Sequence, residues 1–268
     1  MTASPRCRVM LALLGVVGAT CMACVGSVRA ASVEVHPAGD TVPENLLRIE
    51  LRFKQPQRLP FDMRRLTLLD EQGEALENAL LDLALPNADG RRITVLMDPG
   101  RVKSGVGPNL DAGRALHAGQ RVSLRVAADA GDASGAAAVK TWRVTDAMSS
   151  RLAPADWRLT TPRARSREAL VVDFHDAVSA SGEELIAVTD AAGQRLAGTT
   201  SLTRGDSVWR FTPSRRWKTG RHRLVVYPEF EDPAGNRPCA AFEEQAQSST
   251  RCEATRRDFD TVTPGHQD

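Results

Sequence analysis

The segment Asp173-Phe174-His175-Asp176 sets a histidine between carboxylates, a grouping that can serve as a general base or a ligand. Alternation argues for a plainer role. If Phe174 points inward, Asp173 and His175 share the outer face of a strand and Asp176 ends it, all three solvated. A second candidate is the acidic, glycine-containing segment Asp129 to Gly135, echoed by Glu229 to Asn236. Such loops can bind calcium through oxygens, but the Asp-x-Asp-x-Asp-Gly register and the terminal Glu are missing, and Asp, Gly and Asn equally supply turn geometry.

The third candidate is the long loop Asp98 to Gly119, DPGRVKSGVGPNLDAGRALHAG. The corresponding place later in the chain holds only Pro213 to Gly220, so the loop carries about fourteen extra residues, a length that usually has a purpose. Arg101, Lys103, Asn109 and Arg114 are its candidate contacts, and Gly100, Gly105, Gly107 and Pro108 favour tight turns that can offer backbone N–H groups to an anion. The loop serves either as a partner or ligand site or as a brace between two parts of the chain. Familiar catalytic motifs are missing: no Gly-x-Ser-x-Gly, no phosphate-binding Gly-x-x-x-x-Gly-Lys, no His-Glu-x-x-His. No catalytic residue, metal site or cofactor is therefore expected.

The elements that must position these residues read as strands. Leu47 to Phe53 alternates apolar and charged side chains, as do Val122 to Val126, Val208 to Phe211 and Leu224 to Tyr227, with turn residues every eight to twelve positions. No stretch longer than about ten residues keeps a helical period; Ala240 to Gln247 is the best local candidate. The pattern also recurs. Leu66 to Leu76, LTLLDEQGEAL, aligns with Ile186 to Leu196, IAVTDAAGQRL, each reading strand, glycine turn, strand. Asp132-Ala133-Ser134-Gly135 likewise matches Asp232-Pro233-Ala234-Gly235. Duplication explains these echoes economically, with a short polar connector near Asp146 to Pro154 that keeps the two units in touch.

The N-terminus reads as an export signal. Arg6 and Arg8 precede the apolar run Val9 to Val17, and Val28-Arg29-Ala30 offers small residues for cleavage before Ala31. Retention as an anchor, or lipid modification at Cys21 or Cys24, are the rival readings. Setting aside Arg6, Arg8 and Arg29 reduces the 35 basic side chains to 32 against 33 acidic ones, so the slight basicity belongs to the leader. Nucleic-acid binding, which needs a concentrated basic surface, is not expected. Composition (42% hydrophobic, 25% charged) also excludes disordered, collagen-like and multi-span membrane classes. Beyond the leader only Cys239 and Cys252 remain, an even pair that in an exported chain reads first as a disulfide. Closing that loop is worth ~3 kcal/mol on the chain-entropy model. Aromatic residues are few, with one tyrosine, Tyr227. Trp209 alternates in phase with Phe211 as a core residue, whereas Trp217 precedes a turn and could be exposed.

The second unit resembles bacterial Ig-like domains of the S-layer-protein type. The residues that carry this are Trp209-Arg210-Phe211-Thr212-Pro213, Gly220, Leu224, Val226 and Asp232-Pro233-Ala234-Gly235-Asn236. The opening of the first unit is similar to the same family at Pro37, Val42-Pro43-Glu44-Asn45, Ile49, Leu51, Phe53 and Pro56. The resemblance implies an all-β protein of two tandem Ig-like β-sandwich domains after a signal peptide, with boundaries at 1–30, 31–147 and 152–268. It also implies a non-enzymatic spacer or interaction module of an exported protein, periplasmic or secreted. The expected partner is an envelope protein or a surface glycan, with membrane contact only if the N-terminal segment is retained or lipidated. A glycan or small-ligand site at the 98–119 loop or near Trp217 is the alternative.

Overall fold

Val33–His36 (β1), Arg48–Phe53 (β3), Arg92–Met97 (β6) and Leu80–Pro86 (β5) form a sheet in the order β1-β3-β6-β5. Thr41–Pro43 (β2), Ala138–Thr145 (β8), Arg121–Val126 (β7) and Leu66–Leu69 (β4) form a second, in the order β2-β8-β7-β4. Every pairing in the two is antiparallel except β2 with β8. The computed structural model describes residues 33–102, 110, 113–128, 138–242 and 252–263. The expected leader 1–30, Lys103, Asn109 and the Asp129–Gly135 segment lie outside the described residues.

The remaining strands repeat the plan. Arg158–Thr160 (β9), Leu170–Asp173 (β10), Val208–Pro213 (β13) and Gly198–Thr203 (β12) make a sheet β9-β10-β13-β12, and Ile186–Asp190 (β11), Gly220–Val226 (β14) and Thr255–Thr261 (β15) make a sheet β11-β14-β15. Counted from the first strand of each half, the orders are first-second-fifth-fourth against third-sixth-seventh, with β2 added beside the last strand of the first half. This is the immunoglobulin-like sandwich arrangement. The protein is all-β; the helical elements that lie wholly within the described residues are α1 (Pro99–Val102) and two 3-10 turns, Met63–Arg65 and Ala180–Glu184.

Period-two alternation explains the cores. In β3 the side chains of Ile49, Leu51 and Phe53 point inward, and they meet Val122, Leu124 and Trp142 from the facing sheet. In β13 Trp209 and Phe211 do the same, joined by Ile186, Val188, Leu224 and Val226. Burying one such side chain is worth about 1.5–3 kcal/mol, so each two-sheet sandwich has a core of its own.

The matching turns noted in the sequence have matching bonds. Asp70 Oδ1 accepts from the amides of Gln72 and Glu74, and Asp190 Oδ1 from those of Ala192 and Gln194. Gly73 and Gly193 both sit at φ 82°, the left-handed region that the turn requires of its glycine.

Cys239 and Cys252 are joined by a disulfide, with Cα atoms 5.8 Å apart. The residues beside Cys239 are not helical where they are described. Ala240 and Ala241 are buried, and Phe242 packs against the core of the first sandwich, its amide donating to Asn236 Oδ1 (2.9 Å). The bridge therefore closes a clasp that reaches from one sandwich to the other. Peptide mapping of unreduced protein is expected to link Cys239 to Cys252, and Cys239→Ser with Cys252→Ser to lower stability by about 3 kcal/mol. Finding both cysteines free to alkylate in folded, exported protein is the contrary result.

Candidate functional site

Strand β3 presents Arg48, Glu50 and Arg52 on the face opposite Ile49 and Leu51. A charged strand face normally meets water, yet Glu50 is only 4% exposed. The second sandwich covers it. Arg48 Nη1 pairs with Glu231 Oε1 at 2.6 Å, and Arg237 Nε lies 3.6 Å from the other oxygen of Glu231. Arg52 Nε binds Glu50 Oε1 (3.0 Å), while its guanidinium nitrogens bind Glu183 Oε2 (3.0 Å) and the Ala180 carbonyl (2.9 Å). Arg92 reaches Glu184 at 3.1 Å.

Two further clamps flank this network. Asp206, buried in the β12–β13 turn, accepts from His36 Nδ1 at 2.9 Å and from the Ala38 amide at 2.7 Å. A carboxylate only accepts, so the Nδ1 nitrogen of His36 carries the proton here. The turn comes so close that a Cβ on Gly205 would lie 2.7 Å from the Gly39 Cα, which leaves room only for glycine. On the other flank, Asn45 and Asn236 both donate to the Met148 carbonyl (2.8 and 2.9 Å), and the Met148 amide donates back to Asn45. The connector is thereby pinned by one asparagine from each sandwich.

The buried acids of this seam are electrostatically strained. Burial pushes the Glu231 carboxyl above its usual range, against the opposing pull of Arg48 and Arg237. Burial likewise raises Asp232 to about 6, although three hydrogen bonds from Ala234 and Asn236 favour its charged form. For Arg52, burial works against the charge, but Glu50 and Glu183 outweigh it and the guanidinium is held above its ordinary value. Carboxyls shifted in this way can act as acids or bases, but Glu231 is paired with Arg48 and Asp232 accepts from Ala234 and Asn236. The chemistry that this arrangement performs is adhesion.

The sequence-derived candidates fall elsewhere. Arg101 Nε donates to the Gly113 carbonyl (2.9 Å) and Nη1 to the Glu77 carbonyl (3.3 Å). Arg114 Nη1 binds Glu44 (2.6 Å), and Val102, Ala115 and Leu116 enter the first core. The described ends of the 98–119 loop are thus sewn onto the first sandwich; the brace between the sandwiches is built from β3 and the loops that cover it. Trp217 corrects the expectation of an exposed aromatic patch. It is 2% exposed, its ring set edge-on against Phe211 and His222 and its Nε1 donating to the Glu168 carbonyl. Strand β10 ends at Asp173, earlier than alternation suggested, so His175, at φ 73°, and Asp176 lie beyond it; both are exposed, on a cleft of about 340 Å³ beside the connector. Among the described residues no group of three or more His, Cys, Asp or Glu is arranged to hold a metal ion. Among them, too, no helix is long and apolar enough to cross a membrane.

Sequence reasoning missed Glu50, Glu183, Asp206 and Glu231. The available signal was the +/−/+ order Arg48-Glu50-Arg52 along one strand face, a pattern suited to interlocking with charges from elsewhere.

No protein-family model matches this chain, and no curated protein matches it. Among solved structures it is similar to murine CEACAM1b, at 9% identity over 86% of this chain and 98% of that one, with a TM-score of 0.22. It is also similar to Rst D1-D2 (8% identity, 83% and 94% covered, TM-score 0.22) and to domains 4–9 of the surface layer protein SbsC (10%, 86% and 31% covered, TM-score 0.23). The Ig-like assignment rests on the strand order itself.

Arg48→Ala would leave a buried Glu231 with the more distant Arg237 alone. We expect a loss of about 2–3 kcal/mol, below the full cost of orphaning a buried charge because Arg237 remains, and a partial recovery when Glu231→Gln is added. Asp232 has the opposite influence from a salt-bridged acid. From about pH 4 to about pH 6 the unfolded chain has released this proton while the folded chain still holds it, so stability falls as pH rises. Wild type should lose ground to Asp232→Asn by up to ~3 kcal/mol across that window in denaturant melts, and a difference that is flat with pH would contradict the assignment.

Proposed function

We propose that this chain is a non-catalytic, exported module of two tandem Ig-like domains (31–147 and 152–268, behind a leader at 1–30) that serves as a stiff structural or protein-interaction element of the bacterial cell envelope, in the periplasm. The observation that carries this reading is the seam. Ionisable side chains of the two sandwiches are engaged with one another across it, from Arg48–Glu231 to Arg52–Glu183 and His36–Asp206. Such an arrangement fixes one domain on the other and leaves the outer strands to be read by a partner. The disulfide, a bond that forms and persists chiefly in oxidising compartments, and the leader read from the sequence both support export.

The test uses the full-length chain in a bacterial host. The expected result is a mature protein beginning near Ala31 in the periplasmic fraction, and an envelope protein that cross-links to it and binds it again once both are purified. Retention in the cytosol, or turnover of a substrate with no partner recovered, would overturn the proposal.

A further inference from the structure

The turn between β13 and β14 and the turn after β11 enclose a cleft of about 280 Å³. Its charged lining is lopsided: Arg195, Arg215, Arg216 and Lys218 against the single carboxylate of Asp190. Asp190 is committed through Oδ1 to its own turn, and Arg216 donates to the Arg165 carbonyl. Arg195, Arg215 and Lys218 are exposed and have no acidic or hydrogen-bonding side-chain partner among the described residues. Several other arginines of this protein meet acids, as Arg48, Arg52, Arg92 and Arg223 do. Uncompensated cations around a concavity concentrate positive potential in it, because its low-dielectric walls focus the field.

The turn that carries Arg215, Arg216 and Lys218 is also held in place. Trp217 lies between Arg216 and Lys218 in the chain, and its amide and carbonyl bond to the Ser166 carbonyl (3.0 Å) and the Arg165 amide (2.8 Å). With its indole buried, the turn that carries the flanking cations is anchored on both its backbone and its ring. His222, buried beside Trp217 and stacked on Phe259, adds a polar wall. Its Nδ1 faces the Gly220 carbonyl at 3.0 Å, which leaves Nε2 as the ring's remaining hydrogen-bonding atom.

The geometry points to a binding site for a phosphate monoester carried on a sugar-sized group. A carboxylate brings one charge. A phosphate monoester brings nearly two and three acceptor oxygens, which suit the forked donors of Arg195 and Arg215 and the point charge of Lys218. The volume sits at the small end of organic ligand sites and leaves space beyond a bare phosphate. The same chemistry is found on a soluble sugar phosphate and on a lipid headgroup. The site is additional to the interaction role proposed above and independent of it.

Calorimetric titration of the mature protein with glucose 6-phosphate, with glucose as the control, reads the soluble source. Co-sedimentation with phosphatidate-containing phosphatidylcholine vesicles reads the lipid source. The phosphorylated sugar is expected to bind and glucose not. Arg215→Gln with Lys218→Gln, two exposed and unpartnered positions, should leave the melting temperature unchanged and weaken binding roughly a hundredfold, about tenfold per cation. Vesicle binding without soluble binding, abolished by the same variant, places the phosphate on a lipid. Binding in neither arm, equal binding of glucose, or binding that the double variant does not weaken overturns the site.

Discussion

A charged strand face can be removed from water only if every charge on it finds a partner, and β3 imposes that condition on this protein. Its inward side chains tie it to the first core, so Arg48, Glu50 and Arg52 must face out. Covering them costs several kcal/mol of desolvation per ion, which pairing must offset. The second sandwich meets the condition with Glu231 and Glu183 and with backbone groups such as the Ala180 carbonyl. The mutual orientation of the two sandwiches follows from this, because few placements present acids at the spacing of alternate residues on one strand.

The loops that do the covering are shaped for it. The β12–β13 turn adopts positive φ at Arg204, Gly205 and Asp206, which aims the Asp206 carboxylate at His36 and Ala38. After β14 the chain makes the tight Asp232–Asn236 turn, which delivers the Pro233 carbonyl to the Leu47 amide at 2.8 Å. It then runs into the disulfide-closed segment that seats Phe242 on the first core. Hydrogen bonds, ion pairs and apolar contact therefore act on the same junction. An ion-pair seam contributes orientation more than raw affinity, and the apolar clasp supplies the attraction that the ions mostly spend on their own desolvation.

Much of the fold was legible because strand alternation is local. Leu47–Phe53, Val122–Val126 and Val208–Phe211 became β3, β7 and β13, since period two decides which side chains are hidden whatever lies opposite. The recurring Asp-to-Gly turns were legible for the same reason: Asp70 and Asp190 cap their own loops. The seam was not, because Arg48 and Glu231, or His36 and Asp206, lie far apart in the chain and alternation names a face without naming what covers it. Trp217 misled for a related reason. A tryptophan near a turn looks exposed until Phe211, His222 and Phe259, brought in by three strands, close around it.

The two sandwiches share a strand order but use one equivalent connection in different ways. Between β6 and β7 the chain is long, and its described arginines are absorbed into the first sandwich: Arg101 into the Gly113 and Glu77 carbonyls, Arg114 into Glu44. Between β13 and β14 it is short, and Arg215 and Lys218 stay in solvent around an anchored tryptophan. The first sandwich surrenders its β3 face to the seam, and its loop cations serve its own stability. The second gives the seam acids from its loops and leaves Arg215 and Lys218 of the β13–β14 turn, with Arg195 of the turn after β11, exposed around the cleft. A shared architecture with this division of charge makes one half the platform and the other the half with chemistry left to offer.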